Sequence, residues 1–334
     1  MSLGRRLIST GEAEEAQLFK TVLWDMNGVN GREITGVGFQ PDFVWIKDRD
    51  DTSIHVLFDS IRGAENYLSS SSSAAEASAS TTLQSFTSDG FTLGNSGAVN
   101  DSSGNKAVGW CWKGGGSPVT GTGTGVTNVS ISANTAAGFS IVKYTGSGAA
   151  GMSFGHGLTE AIPELVIIKN LDNPTNWQVF GGSLFTRMQL DQTGGDDGNF
   201  GLTITSTTIQ TTQVSGQEGN SAWNATDDYI AYIWHSVSGV SKIGSYTGNG
   251  TTSKVVSDPS FEPSFVMIKR TDSTSNWRLF DNRRGTDLEL YANSNSQDVS
   301  ATGYINFNSN GFEITTSGGW LNELDGTYIY LAIA

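Results

Sequence analysis

The sequence predicts an all-β protein made of three tandem β-sandwich modules. Three observations carry that prediction. A seven-residue phrase occurs three times, at residues 41–47, 163–169 and 263–269. Aromatic landmarks recur at nearly fixed distances on either side of it. The composition, with 42 Gly and only 16% charged residues, suits short strands and tight turns better than helices.

Each copy of the phrase is a proline, an acidic or small polar residue, four apolar residues and a lysine. Four apolar residues in a row put side chains on both faces of a strand. The phrase therefore reads as a central strand, buried on both sides. A proline at its mouth loses no ladder donor. Trp24 lies 23 residues before Lys47, Tyr144 lies 25 before Lys169 and Tyr246 lies 23 before Lys269. Both tyrosines open a Tyr-Thr-Gly-x-Gly turn. Downstream, Trp112 and Trp234 lie 65 residues after their lysines, and Ile333 lies 64 after Lys269. Spacing held this closely over roughly 90 positions marks each repeat as a complete module with its own opening and closing strands.

Taken in order, residues 1–18 are polar, and 11–18 could form one or two helical turns. They read as an N-terminal anchor segment or a frayed end. The first module spans 19–113, a linker and strand span 114–138, and the second and third modules span 139–236 and 237–334. After each lysine comes a hairpin loop, then a return strand opened by His55, Trp177 or Trp277. The first and third modules continue into Asp59 and Arg62, or Asp281 and Arg284. The second has Gly181-Gly182 instead and is the most diverged. The Ser/Ala run 69–80 reads as a long surface loop. The Gly/Thr/Ser stretch 114–125 reads as the one linker. From that, modules two and three should pack closely, with the first joined more loosely. The uneven linkers argue against a closed threefold within the chain. Seven or eight short strands per repeat with regular turns describe a β-sandwich, and three repeats are too few for propeller blades.

The chemistry is sparse. Lys47, Lys169 and Lys269 are structural repeat lysines. The hairpin register sets Lys169 opposite Trp177 and Lys269 opposite Trp277, so each stem is expected to lie along a ring with its ammonium in water. Asp59 and Asp281 lie four residues along the same face, roughly 13 Å away, too far for a Lys–Asp bridge. Three histidines without metal-ligand spacing, a lone Cys111 and no G-x-S-x-G elbow give no basis for catalysis, and no enzyme activity is expected. The loops before the closing strands carry Asn100-Asp101, Trp223-Asn224, and Trp320 with Asn322. Amides beside aromatics can hold a sugar ring, so these six residues are candidate glycan contacts. Asx-rich loops also bind Ca²⁺, although no cofactor and no metal-ligand set is assigned. The plain alternative is Asx turns over packed tryptophans. A net charge of −14 disfavours nucleic acid and anionic membrane as partners. The chain has no apolar run of transmembrane length and no secretory signal pattern.

Several phrases together resemble a known family. They are Gly38–Lys47 (G-F-Q-P-D-F-V-W-I-K), 57–64 (L-F-D-S-I-R-G-A), 88–94 (S-D-G-F-T-L-G), 108–113 (V-G-W-C-W-K), 137–146 (A-G-F-S-I-V-K-Y-T-G) and 245–250 (S-Y-T-G-N-G). The chain is similar, from about Phe19 to Ala334, to structural virion proteins of tailed phages infecting marine bacteria and cyanobacteria. The resemblance implies jelly-roll or concanavalin-like modules and brings no catalytic residues. It implies a virion protein made in the host cytoplasm, most simply a tail fibre or tail-associated receptor-binding component in host attachment. A capsid decoration (cement or knob) protein and a carbohydrate-binding lectin-like module are the alternatives. The implied partners are other virion proteins, at the tail adaptor or nozzle or on the capsid, and a host surface glycan. A homo-oligomer is expected, with a trimer favoured because fibres are often trimeric.

Overall fold

The computed structural model describes residues 17–159, 161–198, 202–211 and 220–334. The expected anchor segment lies outside them, apart from Gln17 and Leu18. The described residues form an all-β structure of antiparallel sheets, with a 3-10 turn at Asn220–Ala222 and one short helix at Gly319–Asn322.

Each repeat contributes a larger and a smaller sheet. In the first, Phe19–Asp25, Lys106–Trp112, Phe43–Asp48 and Val56–Asp59 lie side by side in that order, and Arg32–Ile34, Gly90–Leu93 and Leu83–Thr87 form the smaller sheet. The third repeats the pattern with Ser241–Thr247, Thr327–Ile333, Phe265–Arg270 and Arg278–Asp281. The second does so with Phe139–Gly146, Asp228–Trp234, Leu165–Asn170 and Gln178–Phe180. The landmark spacings become one register. Phe43 faces Trp112, Leu165 faces Trp234 and Phe265 faces Ile333. The stretch read as a linker is built into the second repeat. Val119–Thr120 pairs with Val126–Asn134 at the edge of its larger sheet, and Gly123–Thr124 pairs with Ser153–Gly155 in its smaller one.

Gly90 and Gly311 occupy one position in the turn that feeds the smaller sheet. Their φ values are +152° and +147°. A Cβ at either would run into a main-chain oxygen, of Ile34 or Val256. Only glycine fits there.

The phrase strands are buried on both faces, as expected, but the two faces have different partners. Val44 and Ile46 pack with their own smaller sheet, as do Val166 and Ile168, and Val266 and Ile268. The alternate residues, Phe43 and Trp45, Leu165 and Ile167, Phe265 and Met267, join a fourth cluster drawn from all three repeats. The larger sheets therefore face one another around a common pseudo-threefold axis. Ring contacts cross between repeats, with centroids 6.0 Å apart for Phe43–Phe139, 6.3 Å for Trp112–Trp234 and 5.7 Å for Phe19–Phe265.

One main-chain hydrogen bond recurs at all three seams. Glu76 donates to the Leu171 carbonyl (2.9 Å), Asp196 to Thr271 (2.6 Å) and Asp298 to Arg49 (2.8 Å). Each acceptor lies two residues beyond a phrase lysine. The third bond joins the last repeat to the first and closes the ring. Linker lengths were a poor guide, because the apolar faces that the larger sheets turn toward the axis drive closure whatever the connection. The Ser/Ala run is likewise only partly a surface loop, since its start is buried and Ala77–Ser78 forms a short strand. Ser69 and Ser70 are buried, and the run straps the first repeat onto the second and third.

Candidate functional site

The repeat lysines do not hold their ammonium groups in water as the hairpin suggested. All three are fully buried. Lys47 Nζ donates to the carbonyls of Asp48 (2.5 Å) and Asp51 (2.8 Å). Lys169 reaches Asn170 (2.9 Å) and, in the first repeat, Ser73 (3.2 Å). Lys269 reaches Arg270 (2.8 Å) and, in the second repeat, Thr193 (3.1 Å). No ammonium is left in water. Burial pulls Lys47 and Lys169 down to about 8 and Lys269 to about 7. The facing tryptophans also serve the seams. Trp177 Nε1 donates to Ser69 O at 2.8 Å and Trp277 Nε1 to Gln189 O at 2.9 Å.

Asp59 and Asp281 pair with the arginines three residues on. Arg62 Nε and Arg284 Nε donate to them inside the protein, and each carboxylate also accepts from a neighbouring repeat. Tyr232 hydroxyl reaches Asp59 at 2.8 Å, and Trp110 Nε1 reaches Asp281 at 3.1 Å. The seam between repeats two and three lacks this set. Gly181 replaces the aspartate, and the Phe185 ring lies where a Cβ would be. Leu331 stands where Tyr232 and Trp110 stand, and both Phe185 and Leu331 belong to the central cluster.

Among the six candidate loop residues, the asparagines are committed inside. Asn100, Asn224 and Asn322 are fully buried. Asn100 accepts from Asn27 N (3.0 Å) and donates to Val29 O and Gly94 O. Asn224 accepts from Ser147 N and donates to Ala149 O (2.7 Å). Asn322 accepts from Asn249 N (2.8 Å) and donates to Thr251 O (2.7 Å). Each cross-braces the turn after the aromatic landmark. The landmark itself donates to the residue just before that asparagine: Trp24 to Val99 O, Tyr144 to Trp223 O and Tyr246 to Leu321 O. Trp223 is fully buried too. Asp101 is half-buried and accepts from Ser103 N at 2.9 Å. Trp320 is 39% exposed, the tryptophan among the six that reaches solvent.

Trp320 lines a cleft of about 390 Å³ with Arg270, Asn276 and Arg278, and Thr193 of the second repeat also lines it. The Arg278 guanidinium lies between two rings, 5.1 Å from Tyr291 and 5.5 Å from Trp320. Its Nη1 binds the Glu289 carboxylate, and its Nε has no hydrogen-bond partner. Arg270 is held by Asp272 (Nε–Oδ1, 2.7 Å) and by Gly319 O (2.7 Å). Asp272 in turn lines a second cleft on the same seam, about 570 Å³, with Asp196, Ser245, Thr247, Thr271 and Thr327. Among the described residues, no three His, Cys, Asp or Glu side chains come together as a metal would need.

Trp320 stands out in the sequence by itself, whereas Arg270 and Arg278 stand out only when the repeats are superposed by register. At the positions of Arg270, Arg278 and Trp320 the first repeat has Asp48, Val56 and Ala98, and the second has Asn170, Gln178 and Ala222. Three residues distant in sequence depart together in one repeat and converge on one cleft.

A family model described as a domain of unknown function (DUF7483) matches residues 14–334, nearly the whole chain. The chain belongs to the DUF7483 family. No curated protein and no solved structure matches it. The DUF7483 match takes in all three repeats and the closed ring they form, so the ring lies within one family unit.

Proposed function

We propose that this DUF7483 chain is a non-enzymatic structural protein of a phage virion, made in the host cytoplasm. On this reading its three repeats are β-sandwiches of jelly-roll or concanavalin type. It serves at the tail, as a fibre or tail-associated receptor-binding component joined to an adaptor or nozzle protein and facing a host surface glycan. The motif resemblance supports the virion assignment. The observation that favours receptor binding is the convergence of Arg270, Arg278 and Trp320 on one cleft, at positions where the other two repeats carry neither arginine nor tryptophan. A scaffold needs no such departure, whereas a contact surface does. Whole-chain trimers, expected for a fibre, would have to form through outer surfaces, because the inner faces are already used within one chain. A capsid decoration role is the second reading. It is favoured by the internal pseudo-threefold, which suits a seat on a local threefold of coat subunits.

Antibody labelling of intact particles tests this directly. Label at the tail is expected. Label distributed over the capsid replaces the tail reading with the decoration one, and unlabelled particles remove both.

A further inference from the structure

We infer that the seam between the second and third repeats binds an uncharged oligosaccharide, one ring against Trp320 and further rings in the neighbouring hydroxyl-lined cleft. The inference rests on the receptor-binding reading above and names the ligand class for it. Its first support is the pair of clefts, which share one divider. Arg270 lines the smaller and its ion-pair partner Asp272 lines the larger. An extended ligand can therefore run from one to the other along the seam.

The second support is the chemistry of the lining. A sugar presents apolar C–H faces and a rim of hydroxyls that both donate and accept. The smaller cleft offers a part-exposed indole for the face. For the rim it has guanidinium donors, with the hydroxyls of Thr193, Thr274 and Ser275 and the Asn276 amide to donate and accept. Fixed ion pairs such as Arg270–Asp272 hold the guanidinium groups in place without side-chain ordering on binding. Charge selects against an acidic ligand. Arg270 is matched by Asp272, with Glu323 at 3.9 Å, and Arg278 is matched by Glu289. No uncompensated cation faces the cleft from these partners, and the whole chain carries −14.

The third support is that the larger cleft, which Leu184, Tyr246, Tyr328 and Ile329 also line, carries small hydroxyl residues at three positions that are larger or charged in the other repeats. Ser245, Thr271 and Thr327 line it. In the second repeat their counterparts are Lys143, Leu171 and Asp228, and Lys143 Nζ bridges to Asp228 at 3.0 Å. In the first repeat they are Leu23, Arg49 and Lys106, and Arg49 bridges to Asp298 at 2.7 Å. At these three positions hydroxyls replace bulk and ion pairs.

The test uses the full-length chain against a printed panel of neutral and uronic-acid oligosaccharides of increasing length. The neutral glucose, galactose and mannose series are then titrated in low and high salt. Binding of a neutral series is expected, tightening with chain length and unchanged by salt. Trp320→Ala should weaken it by roughly 30-fold, as for loss of a central aromatic anchor. Ser245→Lys is an exposed change that imports the second repeat's residue. It should abolish the gain with length while leaving single-ring binding intact. An unchanged melting temperature for both variants shows that the fold is kept. The inference is overturned by a panel without a neutral binder, by binding only of acidic glycans lost in high salt, or by indifference to Trp320→Ala. Because the titration uses isolated protein, none of these results decides where the chain sits in the particle.

Discussion

His55 stands where the other repeats have Trp177 and Trp277, and the exchange is compensated nearby. Trp45 occupies the place of Ile167 and Met267, so one large ring is present in each repeat on the face toward the axis. Trp45 Nε1 donates to His55 Nδ1 at 2.8 Å, which leaves the proton of the neutral imidazole on Nε2. His55→Trp alone puts two indoles in one space and should cost about 1–3 kcal/mol by overpacking. Adding Trp45→Ile should recover most of it, as read by urea unfolding of both variants. An additive pair would refute the compensation.

The buried lysines set a pH dependence. Their folded values of about 7 to 8 lie below the free-lysine value of 10.5. Between those limits the unfolded chain holds protons that the folded chain has shed, so stability rises with pH. The slope is on the order of 1 kcal/mol per lysine per pH unit at most. Burial also holds His55 well below its ordinary range. Stability is then lost as pH falls through about 6.5, where the unfolded imidazole takes a proton. The melting temperature should therefore climb from pH 6 to 8.5. A flat profile would count against ammonium burial.

At the scale of elements, the three seams use two solutions. Two set an Asp–Arg pair under a donor from the next repeat, and the third is apolar. Asp281→Ala leaves Arg284 buried against Asp298 alone and takes the acceptor from Trp110. It should cost roughly 3–5 kcal/mol. Importing the apolar set as Asp281→Gly, Arg284→Leu and Trp110→Leu should cost much less, measured by chemical denaturation. This pairing was half visible in the sequence. The Asp–Arg spacing and its loss at Gly181 could be read directly, but the donors Tyr232 and Trp110 lie about 170 residues away and belong to another repeat. The phrase strands, their registers and the closing strands were legible because alternation and spacing are local properties. What covers the second face of each strand was not, since a buried residue reads the same whichever partner buries it. Asn100, Asn224 and Asn322 misled for a related reason. An amide that braces a turn and one that grips a sugar look alike until burial separates them. Asn322→Ala should therefore destabilise by about 1–3 kcal/mol, through the turn groups it leaves unpaired. A variant with unaltered stability would argue against the brace.

For the whole molecule, the shared central cluster couples the repeats. Calorimetry should show one cooperative transition instead of three, and a chain lacking residues 19–113 should lose that transition and expose apolar surface to dye. Three separate transitions would mean that the ring contributes little to stability. Joining three copies in one chain also changes what mutation can reach. In a ring of identical subunits every substitution appears at all the seams at once, so a change that opens one opens them all. Here each seam varies alone. The bonds at Leu171 and Arg49 are flanked by the ion pairs Lys143–Asp228 and Arg49–Asp298, while the seam at Thr271 carries small hydroxyl residues that line a cleft. Fusion lets that one seam change its lining while its main-chain bond at Thr271 and its apolar Phe185 and Leu331 still help to hold the ring shut.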